Sequence, residues 1–262
     1  NSVTVTATDA SGNAATATMT VTVQDNTAPT ITTLSGTVTI ALDANGAATI
    51  TSSDVVSATT DNCSSTLTVS VSPSTFDCDD IGSNTVTITA TDGAGNATTA
   101  TKSVTVVDNT APSIAVVSSA VTVALDANGA ATITSSSVMS STSDNCTSSP
   151  TVTITPSTFS CSDLGSNTVT ITSTDGSGNA TTATKAITVV DNTAPTITAN
   201  AATLTLDANG VAVLSSSAAT AADNCSSSPS ISYSQSTFTC ADLGSNSVTV
   251  TATDASGNAA TA

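Results

Sequence analysis

Thr85-Val86-Thr87-Ile88-Thr89-Ala90-Thr91-Asp92-Gly93-Ala94-Gly95-Asn96 reads as one β-strand running into a glycine-rich turn. Apolar and polar residues alternate with a period of two, the spacing that turns one face of a strand inward and the other to water. The polar positions are almost all Thr, which is β-branched and suits a pleated strand without adding charge. Working outward, Ala97 to Val107 returns from the turn. Thr37-Val38-Thr39-Ile40-Ala41-Leu42 and Leu67-Thr68-Val69-Ser70-Val71 alternate in the same way, and Pro73 ends the latter. Asp43-Ala44-Asn45-Gly46 is a hairpin turn, with Asn-Gly supplying the positive φ. No segment has a helical period, although Ser53 to Thr60 fits either reading. About seven short strands in about 80 residues predict an immunoglobulin-like β-sandwich.

The pattern then repeats. Asp25-Asn26-Thr27-Ala28-Pro29 recurs as Asp108-Asn109-Thr110-Ala111-Pro112 and as Asp191-Asn192-Thr193-Ala194-Pro195, a step of 83 residues each time. A period of this size suits a self-contained small domain rather than a solenoid unit. The 262 residues therefore divide into the last strands of one repeat (1–25), two whole repeats (26–108 and 109–191) and a repeat lacking its final strand (192–262). Asn1 to Ala17 is identical to Asn246 to Ala262. That identity predicts a window on a longer array. The rarer alternative is a protein whose missing last strand is donated by a neighbour.

Composition narrows the function. All 19 acidic residues are Asp, the only basic ones are Lys102 and Lys185, and the net charge is −17. Nucleic acid needs a basic face and anionic lipid needs basic residues, so neither is an expected partner. No apolar run is long enough to span a membrane. With no Trp, one Tyr and three Phe, each core must be built from Val, Ile, Leu and Ala. Such cores are small and need help.

Cysteines supply one form of help. Cys63 and Cys78, Cys146 and Cys161, and Cys225 and Cys240 form three pairs, each spaced by 15 residues. His is absent, so Cys/His zinc sites are unavailable, and two Cys per repeat are too few for a four-cysteine site. A disulfide closing each domain is expected, and with it an oxidising, extracellular setting.

Sixteen of the 19 Asp fall at five register positions. These are Asp43, Asp126 and Asp207 in the first turn; Asp61, Asp144 and Asp223 two residues before the first Cys; and Asp80, Asp163 and Asp242 after the second Cys. Asp9, Asp92, Asp175 and Asp254 stand in the last turn, each closed by an Asn such as Asn96, Asn179 or Asn258. Asp25, Asp108 and Asp191 lie in the linker beside Asn26, Asn109 and Asn192. Sandwich geometry places Asp126 and the linker pair Asp191-Asn192 against Asp223 and Asp254 at one junction. Gathered carboxylates repel unless a cation sits among them, and an all-oxygen set suits Ca²⁺ better than Mg²⁺, which keeps its waters. Each Asp also has an ordinary reading as a turn residue that bonds its own backbone.

The order Asp-Asn-Cys, Ser-Thr-Phe-x-Cys, Gly-Ser-Asn, Val-Thr-x-Thr-Ala-Thr-Asp-x-x-Gly-Asn and Asp-Asn-Thr-Ala-Pro resembles the HYR-like and bacterial immunoglobulin-like repeats of large surface adhesins. Those of Bacteroidetes, including gliding-motility adhesins exported by the type IX system, look most similar. The junction is also similar to the Asp-x-Asn-Asp-x-Ala-Pro linker of cadherins, where Ca²⁺ stiffens the joint. Asp25-Asn26 and Ala28-Pro29 match it, and one acidic position is absent. The resemblance implies a cell-surface stalk or filament that displays adhesive tips, with neighbouring repeats and lateral or end-to-end self-association as its contacts.

Two other functions can be set against these residues. Thr rows such as Thr85, Thr87, Thr89 and Thr91 could form a face that binds glycan, another surface or ice, against the plainer reading of solvent-facing strand residues. Few aromatics are present for stacking on sugar. An enzyme would need an activated nucleophile or an acid–base pair, and the chain has no His, Glu or Arg. Five Asn-x-Ser/Thr sequons (Asn62, Asn96, Asn145, Asn179 and Asn224) follow from the abundance of Ser and Thr.

Overall fold

A computed structural model describes all 262 residues. The chain is a tandem array of immunoglobulin-like β-sandwiches, and it divides into two compact units, Asn1–Thr110 and Ala111–Ala262.

In the first unit, Gly82–Thr91 and Ala97–Val107 form the long central hairpin. Thr68–Ser72 pairs antiparallel to the first of these, and Val38–Ala41 pairs parallel to the end of the second. The opposite layer is made of Thr30–Thr33 with Val56–Thr60 and of Ala48–Thr49 with Thr75–Phe76. The expected alternation is visible in the burial: Val86, Ile88 and Ala90 are fully buried, while the Thr between them face outward. Each such buried Val or Ile stabilises the fold by about 2 kcal/mol. Leu42, Ile50, Val55, Phe76, Val104 and Val106 complete the core. Ahead of this sandwich, Ser2–Thr8 and Ala14–Thr20 form a hairpin whose residues are all exposed.

The ambiguous stretch resolves into a single 3₁₀ turn, Ser52–Asp54, followed by the strand Val56–Thr60. Thr51 and Asp54 cap each other there, which holds the turn to one step.

The second unit repeats the plan. Val121–Ala124, Ala180–Val190, Gly165–Thr174 and Thr151–Thr155 form one sheet in that order. Ser113–Val116 pairs with Met139–Ser143, and Ala130–Thr132 with Thr158–Ser160. Val123, Leu125, Ile133, Val138, Phe159, Val169, Ile171, Ile187 and Val189 are the shared core. The following sandwich has the pairs Thr196–Ala199 with Ala219–Ala222 and Val211–Val213 with Thr237–Thr239. Its other sheet holds Ser230–Tyr233, Val250–Thr253 and Ala259–Thr261.

The lysines are structural. Lys185 donates from Nζ to the backbone carbonyls of Val117 and Ser119 at 2.6 and 2.8 Å, and Lys102 does the same to Leu34 and Gly36. No helix is long and apolar enough to cross a membrane.

The cysteine pairing departs from expectation. Cys161 is bonded to Cys225, 64 residues away, so the bridge joins two successive repeats rather than closing one. Cys78 and Cys146 are also disulfide-bonded, whereas Cys63 and Cys240 are free and exposed. The reason is the length of a strand. Between Cys63 and Cys78 runs Thr68–Ser72, which at about 3.3 Å per residue carries the chain about 17 Å from one end of the sandwich to the other. Bridged cysteines need their Cα atoms within about 7 Å. Cys78 ends beside the first turn, its Sγ 3.7 Å from the Gly46 carbonyl oxygen.

Candidate metal centre

Each arm of the candidate site is a short loop that folds around its own Asp. In the last turn of the third repeat, Asp254 Oδ1 accepts the Asn258 N–H and Oδ2 accepts the Asn258 side-chain amide, both at 2.7 Å. The same Asn258 Nδ2 donates to the Asp191 backbone carbonyl at 3.0 Å and so ties the linker to the turn. In the Asp-Asn-Cys loop, Asp223 Oδ2 accepts the N–H groups of Cys225 and Ser226 at 3.0 and 2.8 Å. In the linker, Asp191 Oδ1 accepts the Thr193 N–H at 3.0 Å and the Asn224 side-chain amide at 3.3 Å.

These local bonds fix three carboxylates in one place. One oxygen each from Asp191, Asp223 and Asp254 lies within 4.8 Å of the other two. Asp191 and Asp254 are 5 and 8% exposed. Asp191 Oδ2, Asp223 Oδ1 and Asn224 Oδ1 are buried with no hydrogen-bond partner. Burial favours protonation of Asp254, but the Asn258 side chain and the N–H groups of Asn258, Gly257 and Ser256 outweigh it and hold the carboxyl below its ordinary value.

The first unit holds the same arrangement. Asp25, Asp61 and Asp92 cluster within the same limit. Asp92 accepts from Asn96 at both oxygens, Asn96 Nδ2 donates to the Asp25 carbonyl at 3.1 Å, and Asp61 Oδ2 accepts from Cys63 and Ser64. Asp61 Oδ1 is buried without a partner. The side-chain bond from Asn96, with the backbone N–H groups of Asn96, Ala94 and Gly95, outweighs the opposing effect of burial and keeps the Asp92 carboxyl below its ordinary value. The neighbouring Cys63 thiol is pushed up, by the Asp25 charge above all.

The register recurs at Asp108, Asp144 and Asp175. Asp108 and Asp175 are buried, Asp144 Oδ2 accepts from Cys146 and Thr147, and Asn179 closes the Asp175 turn.

Other residues singled out from the sequence stand elsewhere. Asp43, Asp126 and Asp207 are exposed and turn their Oδ1 back onto their own hairpin, accepting from Ala47, Ala130 and Val211 among others. Those backbone bonds hold all three carboxyls below the ordinary value. At the junction, Asp126 contributes its backbone carbonyl, which accepts the Asn224 Nδ2 at 3.0 Å. Asn26, Asn109 and Asn192 are exposed in the linkers.

Asn224 is the residue that sequence reasoning passed over. Taken only as a sequon, it links Asp126 and Asp191 and leaves its Oδ1 buried at the cluster. The signal was present in the invariable Asn of Asp61-Asn62-Cys63, Asp144-Asn145-Cys146 and Asp223-Asn224-Cys225. Beside it, the backbone of Gly129 packs against Cys161 Sγ, Asn224 O and Cys225 Sγ, with no room for a Cβ.

The donor set is hard oxygen throughout. Oxygens on one Ca²⁺ at about 2.4 Å are at most about 4.8 Å apart, and the ligand atoms of each triad lie within that limit of one another. Three carboxylates this close repel by about 3 kcal/mol per pair at an effective dielectric of about 20. A divalent cation would convert that repulsion into attraction.

No family model and no curated protein matches the chain. Solved structures with some likeness include a protocadherin GammaB4 extracellular domain, at 18% identity and TM-score 0.32 over all of this chain. The chain spans about half (54%) of that structure's length. A protocadherin gammaB7 EC3-6 cis-dimer structure has 16% identity, TM-score 0.33 and coverage of 100% of this chain and 83% of its own. Human protocadherin-24 EC1-2 has 16% identity and TM-score 0.33, over 63% of this chain and all of its own. Scores this low leave the fold and site to rest on the strand pairing and oxygen geometry above.

Proposed function

We propose that the chain is a segment of an extracellular stalk or surface filament, in which Ca²⁺ binds at the Asp triads and stiffens the joints between successive sandwiches. The observation that carries this reading is the set of buried, partnerless oxygens of Asp191, Asp223 and Asn224 beside Asp254. Burying such atoms unsatisfied is costly, and a hard cation satisfies all of them at once. Asp254 and Asp223 come from the body of the third repeat, while Asp191 belongs to the linker before it. An ion bridging them would lock the linker to the domain.

Supporting features point the same way. A disulfide between repeats adds a covalent tie at the same joint and fits an oxidising compartment. Near-identical serial repeats suit spacing and display better than chemistry. The triads offer equivalent carboxylates without a nucleophile–base pair, which favours binding over catalysis. Adhesive tips carried elsewhere, and end-to-end or lateral association of chains, complete the proposal.

The test is thermal melting in Ca²⁺, in Mg²⁺ and in EGTA. At a hundred-fold excess over Kd, binding stabilises by about 2.7 kcal/mol, which raises the melting temperature by several degrees. Identical melting in Ca²⁺ and EGTA would count against the reading.

A further inference from the structure

Three consecutive residues tie a covalent bond to a carboxylate cluster. Asp223 Oδ2 accepts the N–H groups of Cys225 and Ser226, while its Oδ1 is buried without a partner. Asn224 Nδ2 donates to the Asp126 carbonyl and to Asp191 Oδ1, and Asn224 Oδ1 is likewise buried and unpartnered. Cys225 is bonded to Cys161 of the preceding repeat. The residue whose N–H holds Asp223 is therefore the residue that the disulfide holds. Asp191, only 5% exposed, brings its own partnerless Oδ2 from the linker, and Asp254 closes the cluster.

The far end of the bond is anchored. Cys161 opens a single 3₁₀ turn, Cys161–Asp163, directly after the strand Thr158–Ser160, and Ser160 and Asp163 cap each other across that turn. The strand pairs with Ala130–Thr132. Gly129, the residue before that partner strand, packs against Cys161 Sγ, Cys225 Sγ and the Asn224 carbonyl with no room for a Cβ. Sulfurs that are no longer bonded withdraw to van der Waals separation. With Cys161 on a capped turn and Gly129 filling the space beside it, the part left to move is the loop Asp223–Cys225. That loop carries two of the three partnerless oxygens.

We propose that the Cys161–Cys225 bond positions the cation site, so that reducing the bond weakens Ca²⁺ binding and bound Ca²⁺ protects the bond from reduction. The proposal rests on the reading of this triad as a Ca²⁺ site and adds a redox control to it. An ion that meets an ordered loop is spared the entropy of ordering it. Groups that orient metal ligands from outside the coordination sphere are worth about 10- to 100-fold in affinity. Coupling between two equilibria is reciprocal, so the factor by which reduction weakens Ca²⁺ is the factor by which Ca²⁺ favours the bonded cysteines. In the reduction, two molecules of glutathione supply two electrons and two protons. The Sγ–Sγ bond breaks, two thiols form, and the glutathione leaves as its own disulfide. The joint then locks fully only where the surroundings are both oxidising and supplied with Ca²⁺.

The test equilibrates the full chain with reduced and oxidised glutathione at a series of ratios, once in Ca²⁺ and once in EGTA. Differential alkylation and peptide mapping report the bonded fraction of Cys161 and Cys225. Ca²⁺ should move the midpoint to more reducing potentials by about 30 mV or more, the equivalent of tenfold for a two-electron couple. In a chain carrying Asp191→Asn and Asp223→Asn the shift should vanish. As a second readout, Cys161→Ser with Cys225→Ser should weaken one Ca²⁺ site about tenfold in calorimetry and leave the Asp25–Asp61–Asp92 site unchanged. A midpoint that ignores Ca²⁺ in a chain that binds it would overturn the coupling and leave the Ca²⁺ site standing. So would a shift that survives the loss of the Asp191 and Asp223 carboxylates. An oxidised chain that binds no Ca²⁺ would remove the site and the coupling together.

Discussion

Cys161 is bonded to Cys225 in the next repeat, and the carbonyl of Asn224, the residue before Cys225, lies 3.5 Å from Cys161 Sγ. The same Asn224 reaches Asp126 on one side and Asp191 on the other. Covalent tie, amide bridge and carboxylate cluster therefore share one joint, and each can be removed separately.

Removing the covalent tie tests how much it holds. In the chain-entropy account a loop of this size contributes about 4 kcal/mol. Cys225→Ser should lower stability in guanidinium unfolding by that order. Cys240→Ser, at a free and exposed thiol, should change it by less than about 0.5 kcal/mol.

Close backbone approach at Gly129 is a second handle. Its φ is +71°, and a Cβ there meets Cys161 Sγ and the Asn224 carbonyl. Gly178, at φ +94°, has nothing within 4 Å. Gly178→Ala should cost about 1 kcal/mol, the backbone strain alone. Gly129→Ala should cost roughly 2 kcal/mol more and slow oxidation of Cys161 with Cys225, read by thiol labelling during refolding.

How much of this was legible follows from what each signal encodes. Alternation in Thr85 to Thr91 reports a local period, so strands, turns and the sandwich could be read from it. The three repeated Asp positions reported turns, and turns gather at the ends of a sandwich, which brought Asp191, Asp223 and Asp254 onto one list. Which turn comes to lie beside a linker is not written in its local pattern. Asp126 and Asp254 both sit in Asp-started turns and accept from their own hairpins, but only Asp254 lies with Asp191 of the linker in one carboxylate cluster. The cysteine spacing misled because it was constant within a repeat. The strand Thr68–Ser72 between the two cysteines sets them at opposite ends, a fact about length in space and not about position in sequence.

Lys185 offers a test away from the joint. Its ammonium satisfies the carbonyls of Val117 and Ser119. Lys185→Met keeps the aliphatic stem and removes both bonds, and should cost about 2 kcal/mol in thermal or chemical unfolding.

Acid sensitivity follows from the first-turn carboxylates. Asp43, Asp126 and Asp207 are held below their ordinary value of 3.8 by backbone N–H donors, those of Ala47, Ala130 and Val211 first. The unfolded chain therefore takes up protons at a higher pH than the folded one. The stabilisation is complete above the unfolded value and is lost as pH falls from about 4 through the lowered folded values. Unfolding midpoints should be flat from pH 7 to 5 and drop below pH 4. Replacing Asp207 by Asn should flatten part of that drop.

Calorimetric titration of the intact chain with Ca²⁺, after EGTA treatment and dialysis, measures the central claim directly. The account predicts saturable binding at the triads, with Asp191→Asn and Asp223→Asn in one chain removing one ion per molecule and leaving the Asp25–Asp61–Asp92 site filled. No heat beyond dilution, or the same stoichiometry in wild type and the double variant, would contradict it.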